Sequence, residues 1–186
     1  MSSCNGEGAG INSFALVSYL PEPLAGFLER LRKELVTECR SKPHVTILPP
    51  RPLECSTEEA WTAMRAGLAD FQPFHIELGS IEVFPVTNVV YLSVARGAGE
   101  LRFLHDRLNA GCLAFEEPFA YHPHLTLAQD LDPADVAALT ATAVARWRDF
   151  VHPRSFDVDQ LTFVQNTFAN RWTDLRALRL AGAVRI

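Results

Sequence analysis

Two short segments carry the residues best suited to chemistry. Lys42-Pro43-His44-Val45-Thr46-Ile47 and His122-Pro123-His124-Leu125-Thr126-Leu127 share one order: proline, histidine, an apolar residue, threonine, an apolar residue. The second histidine follows the first by 80 positions. In an extended strand, side chains alternate between faces. His44 and Thr46 then share one face while Val45 and Ile47 share the other, and the same holds for His124 and Thr126 against Leu125 and Leu127. The apolar face can anchor each strand while imidazole and hydroxyl point away from the core. Two histidines supply a proton acceptor and a proton donor near neutral pH. Two hydroxyls can hold the non-bridging oxygens of a phosphate, where charge develops in a transition state. Acid–base cleavage of a phosphodiester by such a set needs no metal.

The elements that must position these residues are also repeated. Phe14 to Leu20 reads as a buried strand. A helix follows with Leu24, Phe27, Leu28, Leu31, Leu35 and Cys39 at helical spacing. The first histidine strand runs from about His44 to Leu48 and is stopped by Pro49-Pro50. Ser56 and Glu59 form a capping box that opens a helix burying Trp61, Met64, Leu68 and Phe71. Phe74 to Phe84 is extended and turns into a strand at Val89 to Ala95. The order then recurs: a helix with Leu101, Leu104, Leu108 and Cys112 on one face, and the second histidine strand. Next comes a helix opened by Asp132-Pro133 that buries Val136, Leu139 and Trp147, then extended segments over 156–168 and 172–180.

Equivalent elements are separated by 75, 80 and 82 positions, so one β-α-β-α-β unit occurs twice. The expected fold is α+β and bilobal, two such units about a pseudo-two-fold axis with a central cleft between them. Residues 1–13, rich in Gly, Ser and Asn, are expected to form a flexible arm. Residues 14–186 form one domain with lobes of roughly 14–88 and 89–186, allowing for strands exchanged between them.

Composition narrows the classes. The length of 186 residues fits one domain, and 48% hydrophobic with 21% charged residues is ordinary for a globular chain. No run approaches the ~20 apolar residues of a membrane span, and the N-terminus lacks a signal-peptide pattern. A net charge of −5 weighs against a protein that coats long nucleic acid. Cys4, Cys39, Cys55 and Cys112 lack zinc-like spacing and fit reduced thiols in a cytoplasm. No Gly-rich phosphate loop or dinucleotide fingerprint is present, and no cofactor is expected.

His44-Val45-Thr46 and His124-Leu125-Thr126 resemble the paired motifs of the two-histidine (2H) phosphoesterases, and most closely the 2′-5′ RNA ligase-like branch, over about residues 14–181. The resemblance implies a bilobal α+β fold and metal-independent hydrolysis of 2′,3′-cyclic phosphates or related RNA or nucleotide phosphodiesters. It also implies a nucleotide or RNA terminus as partner, and in some members reversible joining of 2′-5′ linkages. It assigns His124 as base and His44 as acid. Several ligase-like relatives carry a cation where this chain has Gln129, which can bond a phosphate without neutralising it. That weighs against ligase activity. Arg51, after the first motif, is a candidate to supply the cation.

Around this pair, Thr46 and Thr126 are expected to bind the phosphate, and Gln129, Arg51, His122 and Tyr121 to line the substrate. Tyr121, Phe84 and Phe163 are aromatic enough to stack a base, although each fits a core equally well. His122 and His124 form an H-x-H without a convincing third metal ligand, so no metal is expected. His75, His105 and His152 show no pattern. The competing readings are a nucleotide- or RNA-end-binding module without turnover, a metal-dependent hydrolase built on His122 and His124, and core histidines with satisfied hydrogen bonds. The protein is expected to be cytoplasmic and monomeric, with no membrane association and no obligate protein partner.

Overall fold

A computed structural model describes residues 10–37, 41–167 and 171–181. In chain order the elements are β1 (Gly10–Tyr19), α1 (Leu24–Leu35), β2 (His44–Arg51), α2 (Thr57–Leu68), β3 (Phe74–Phe84), β4 (Val89–Arg96), α3 (Ala98–Leu108), β5 (His124–Ala128), α4 (Val136–Arg148), β6 (Ser155–Val158), β7 (Gln160–Thr167) and β8 (Trp172–Arg179). They build two four-stranded antiparallel sheets, ordered β2-β1-β7-β8 and β5-β4-β3-β6. The two orders correspond position by position, with a histidine strand at the same edge of each. The fold is α+β and bilobal, built from a duplicated unit.

The chain does not finish one sheet before starting the next. β3 leaves the first unit and pairs with β4 of the second. β6 lies beside β3, and after Asp159 the chain crosses over so that β7 pairs with β1. Each sheet therefore holds strands from both sides of residue 88. The segment read as extended over 156–168 is two strands in different sheets; Phe168 lies outside the described residues.

One apolar core underlies both sheets. It joins Leu16, Val45 and Ile47 of one sheet to Leu92, Leu125 and Leu127 of the other, with Leu28, Met64, Leu104 and Trp147 from the four helices. The alternation of the motif strands puts Val45, Ile47, Leu125 and Leu127 at 0% exposure. At ~25 cal/mol per Å² of apolar surface, each such side chain contributes about 1.5–3 kcal/mol and resists any slip that would turn the histidines inward.

Several boundaries differ from the sequence expectation for local reasons. β1 starts at Gly10 rather than Phe14. There the Asn12 amide both donates to the Leu53 carbonyl and accepts from the Leu53 N–H, while Gln165 donates to the Ile11 carbonyl. β2 continues through Pro49-Pro50 to Arg51 with a register shift between Phe14 and Leu16. It is an edge strand, where missing N–H groups break no interior ladder. α4 starts at Val136, because Asp132 accepts from the Ala134 N–H and makes a turn of 132–135. α3 ends at Leu108, and Cys112 sits in a short 3-10 turn, Gly111–Leu113. Cys55 and Cys112 are free thiols, whereas Cys4 and Cys39 lie outside the described residues. The Ser56/Glu59 capping box forms at the start of α2.

Candidate active site

β2 and β5 are edge strands of different sheets, and they pack against one another. This brings the two motifs together. Val45, Ile47, Leu125 and Leu127 enter the core, while His44, Thr46, His124 and Thr126 are partly exposed on the opposite face. Residues directly opposite in a ladder share a face. Tyr19 lies opposite His44 and Val17 opposite Thr46; Ser93 lies opposite His124 and Tyr91 opposite Thr126.

Both imidazoles are held in the same way. His44 Nδ1 is 2.7 Å from the Lys42 carbonyl, and His124 Nδ1 is 2.6 Å from the His122 carbonyl. A carbonyl only accepts, so each Nδ1 carries the proton and donates it. Each neutral ring then presents an unprotonated Nε2, the tautomer needed to take a proton from water. The proline between carbonyl and histidine fixes its own φ and restricts the residue before it, which holds the carbonyl in place.

Burial pushes the His44 pKa down to about 4. The Lys42 carbonyl opposes that shift, and the charges of Arg32 and His124 add to it. Burial also lowers the His124 pKa, opposed by the His122 carbonyl and aided by the His122 charge. Both rings thus favour the neutral form more than a free histidine does.

Each histidine has a flank of similar design. Beside His44, the Tyr19 ring stands edge-on at 6.4 Å and its hydroxyl donates to Asp174 at 2.5 Å. Lys42 lies 4.8 Å above the Tyr19 ring and 3.3 Å from Asp174. Beside His124, Phe84 and Tyr91 stack at 4.0 Å and meet the ring at 5.0 and 5.4 Å. The Tyr91 hydroxyl donates to Glu82 at 3.0 Å. Hydrogen bonds from Ser80 and Tyr91 hold the Glu82 carboxyl below its usual range. The exposed His122 ring packs edge-on to Phe84 at 5.3 Å.

The remaining candidates separate. Gln129 is exposed after β5, with its amide 3.2 Å from Asp130. Arg51 is not at the cleft. It is 2% exposed, and its guanidinium donates to Asn109 Oδ1, the Leu113 and Pro49 carbonyls and Glu117. The pattern Pro-Pro-Arg places a cation after the motif, but continuation of β2 carries that cation into the interior. Phe163 is core, stacked on Phe14 at 5.6 Å. The Tyr121 hydroxyl donates to the Thr46 carbonyl at 2.6 Å, and its ring lies flat on His105.

Sequence reasoning missed Tyr19, Tyr91, Glu82, Asp174, Arg32 and His105. Arg32 is buried on α1 and donates to the Ser41 carbonyl and hydroxyl. A signal existed for His105, which lies four residues after Leu101 on the buried face of α3. Among the described residues, no group of three or more His, Cys, Asp or Glu is placed to hold a metal. Among the same residues, no helix is long and apolar enough to cross a membrane.

Residues 20–167 match the model of the 2′-5′ RNA ligase superfamily. The chain belongs to that superfamily. A Bacillus cytotoxicus protein named "Putative phosphoesterase" is 32% identical over 127 residues, covering 63% of this chain and 72% of the relative. A Bacillus thuringiensis protein of the same name is 28% identical over 150 residues, covering 76% and 84%. Among solved structures, Escherichia coli LigT in apo form superposes with a TM-score of 0.61 at 21% identity, covering 91% of this chain and 98% of that one. LigT complexed with 3′-AMP gives a TM-score of 0.60 at 19% identity, covering 91% and 98%. These likenesses show the shared fold, and with the family match they support an enzyme of the 2′-5′ RNA ligase superfamily.

Proposed function

We propose that the protein is a metal-independent phosphodiesterase that opens a 2′,3′-cyclic phosphate, or a related RNA or nucleotide phosphodiester, by two-histidine acid–base catalysis. The observation that carries this reading is the matched pair of imidazoles. They come from edge strands of two sheets that pack against one another, and both Nδ1 atoms are tied to the carbonyl two residues back.

The cleavage follows from that geometry. One neutral Nε2 takes a proton from water as its oxygen attacks phosphorus. The other ring, protonated, gives its proton to the leaving ribose oxygen as the P–O bond breaks. Thr46 and Thr126 donate to the non-bridging oxygens as negative charge grows there. By the superfamily resemblance we assign His124 as the base and His44 as the acid. His44 holds a proton only weakly in the free protein, so the phosphodiester anion itself must raise its pKa; loading the acid is thus coupled to substrate binding.

A nucleotide ligand is supported by LigT, which has been solved in complex with 3′-AMP. Hydrolysis rather than ligation is supported by Gln129, which supplies no cation. The test is incubation with 2′,3′-cyclic AMP, with and without chelator, followed by product separation. A nucleoside monophosphate formed equally in both arms is expected. Tight binding without product across a panel of cyclic nucleotides and 2′-5′-linked oligomers would favour a binding module instead.

A further inference from the structure

The two histidine strands share no ladder, since each is the edge of its own sheet. Something other than backbone pairing must therefore set how His44 stands relative to His124. Among the described residues, a hydrogen bond ties the first motif to the segment entering the second. The Tyr121 hydroxyl, three residues before His124, donates to the Thr46 carbonyl, two residues after His44, at 2.6 Å.

That bond is backed by a chain of polar groups, with Arg51 and His105 buried and Glu117 half-buried. The Tyr121 ring lies on His105 with centroids 4.0 Å apart and planes 3° apart. His105 is held by Asp106 at 2.9 Å and by Glu117 at 2.8 Å. Glu117 also receives the guanidinium of Arg51, which donates further to Asn109 at 2.6 Å and to the Leu113 carbonyl at 3.0 Å. Arg51 and Thr46 both belong to β2, whereas residues 105–121 belong to the second unit. The chain thus grips β2 at two points and returns to the segment that enters β5. A buried ion pair is weak evidence for stability, whereas a satisfied network specifies geometry. The hydroxyl is the atom of Tyr121 that reaches β2, and a phenylalanine would remove that bond while retaining a ring to lie on His105. Burial pushes the phenol pKa up, which keeps it a donor throughout the working range.

We propose that Tyr121 is a positioning residue: its bond to the Thr46 carbonyl, braced by the His105–Glu117–Arg51 chain, sets the separation of His44 and His124. Its catalytic consequence rests on the two-histidine reading above. A misplacement of ~1 Å at a reacting group can cost ~10²-fold in rate.

The test is Tyr121→Phe, read by kcat and KM on 2′,3′-cyclic AMP and by NMR titration of the His44 and His124 ring protons. The expected result is a kcat lower by about 10- to 100-fold with KM within about 2-fold. The titrations of both imidazoles should move as their burial and mutual placement change; Arg32 on α1 and Tyr19 on β1 stay in place as the other neighbours of His44. Wild-type kcat in the variant would overturn the proposal. So would a kcat loss with unmoved imidazole titrations, which would put the hydroxyl on the substrate. If the wild-type protein turns over no cyclic nucleotide, the catalytic reading fails, and the titrations alone decide: a shift supports positioning and no shift overturns it.

Discussion

Lowering the pH should destabilise this protein through His44 in a measurable and separable way. The ordinary histidine pKa is 6.5, and burial brings His44 to about 4 in the folded protein. Between those values the unfolded chain binds a proton that the native state refuses. Stability is therefore unaffected above the unfolded pKa and is lost as pH falls toward the folded one. At 1.36 kcal/mol per pKa unit, the loss from this group is about 2 kcal/mol at pH 5 and about 3 kcal/mol at pH 4. The ring retains some exposure, so these are upper figures. His124 adds in the same direction. Carboxylates also titrate in this window, so the useful quantity is a difference. Urea unfolding of the wild type and of His44→Gln should be compared at pH 7 and pH 4.5, followed by far-UV circular dichroism. The glutamine variant should lose about 2 kcal/mol less over that interval. Equal losses would show that His44 is not held neutral, and the burial argument for the site would fail.

Other expectations follow from the same geometry. Thr46→Val and Thr126→Val should each lower kcat by about 10²-fold with small effects on KM, since hydroxyls at non-bridging oxygens act mainly in the transition state; steady-state kinetics checks this. Arg51→Met should destabilise the fold by about 3–5 kcal/mol by leaving Glu117 without its guanidinium, seen as a lower urea midpoint. The pH profile of kcat/KM should be a bell centred on the acid side of pH 6.5, because both free-enzyme histidines have lowered pKa values. The bell for kcat should lie at higher pH, because the bound anion restores the proton to the acid; coincident profiles would contradict that coupling.

The candidate pair was legible because its information is local. Period-two alternation around His44 and His124 fixes which side chains enter the core, and duplication of the pattern marks them as a set. The same locality explains what stayed hidden. Arg51 is close in sequence to the first motif, yet its destination depends on Asn109, Leu113 and Glu117, some 60 residues away. Tyr19 and Tyr91 join the site because β1 and β4 lie opposite the motif strands, a pairing that periodicity does not encode. β7 reads as a continuation of β6, and only its pairing with β1 separates them. Asp174 reaches Tyr19 because β8 continues that first sheet, 155 residues along the chain.

The central claim is that His44 and His124 work as one unit on a single phosphorus. Its most direct test is the rate of 2′,3′-cyclic AMP hydrolysis by the wild type, His44→Ala, His124→Ala and the double variant. Each single substitution should cost at least about 10²–10⁴-fold, and the double variant should be no slower than the worse single one. Full activity in either single variant, or losses that multiply in the double, would mean that the two rings do not share one reaction.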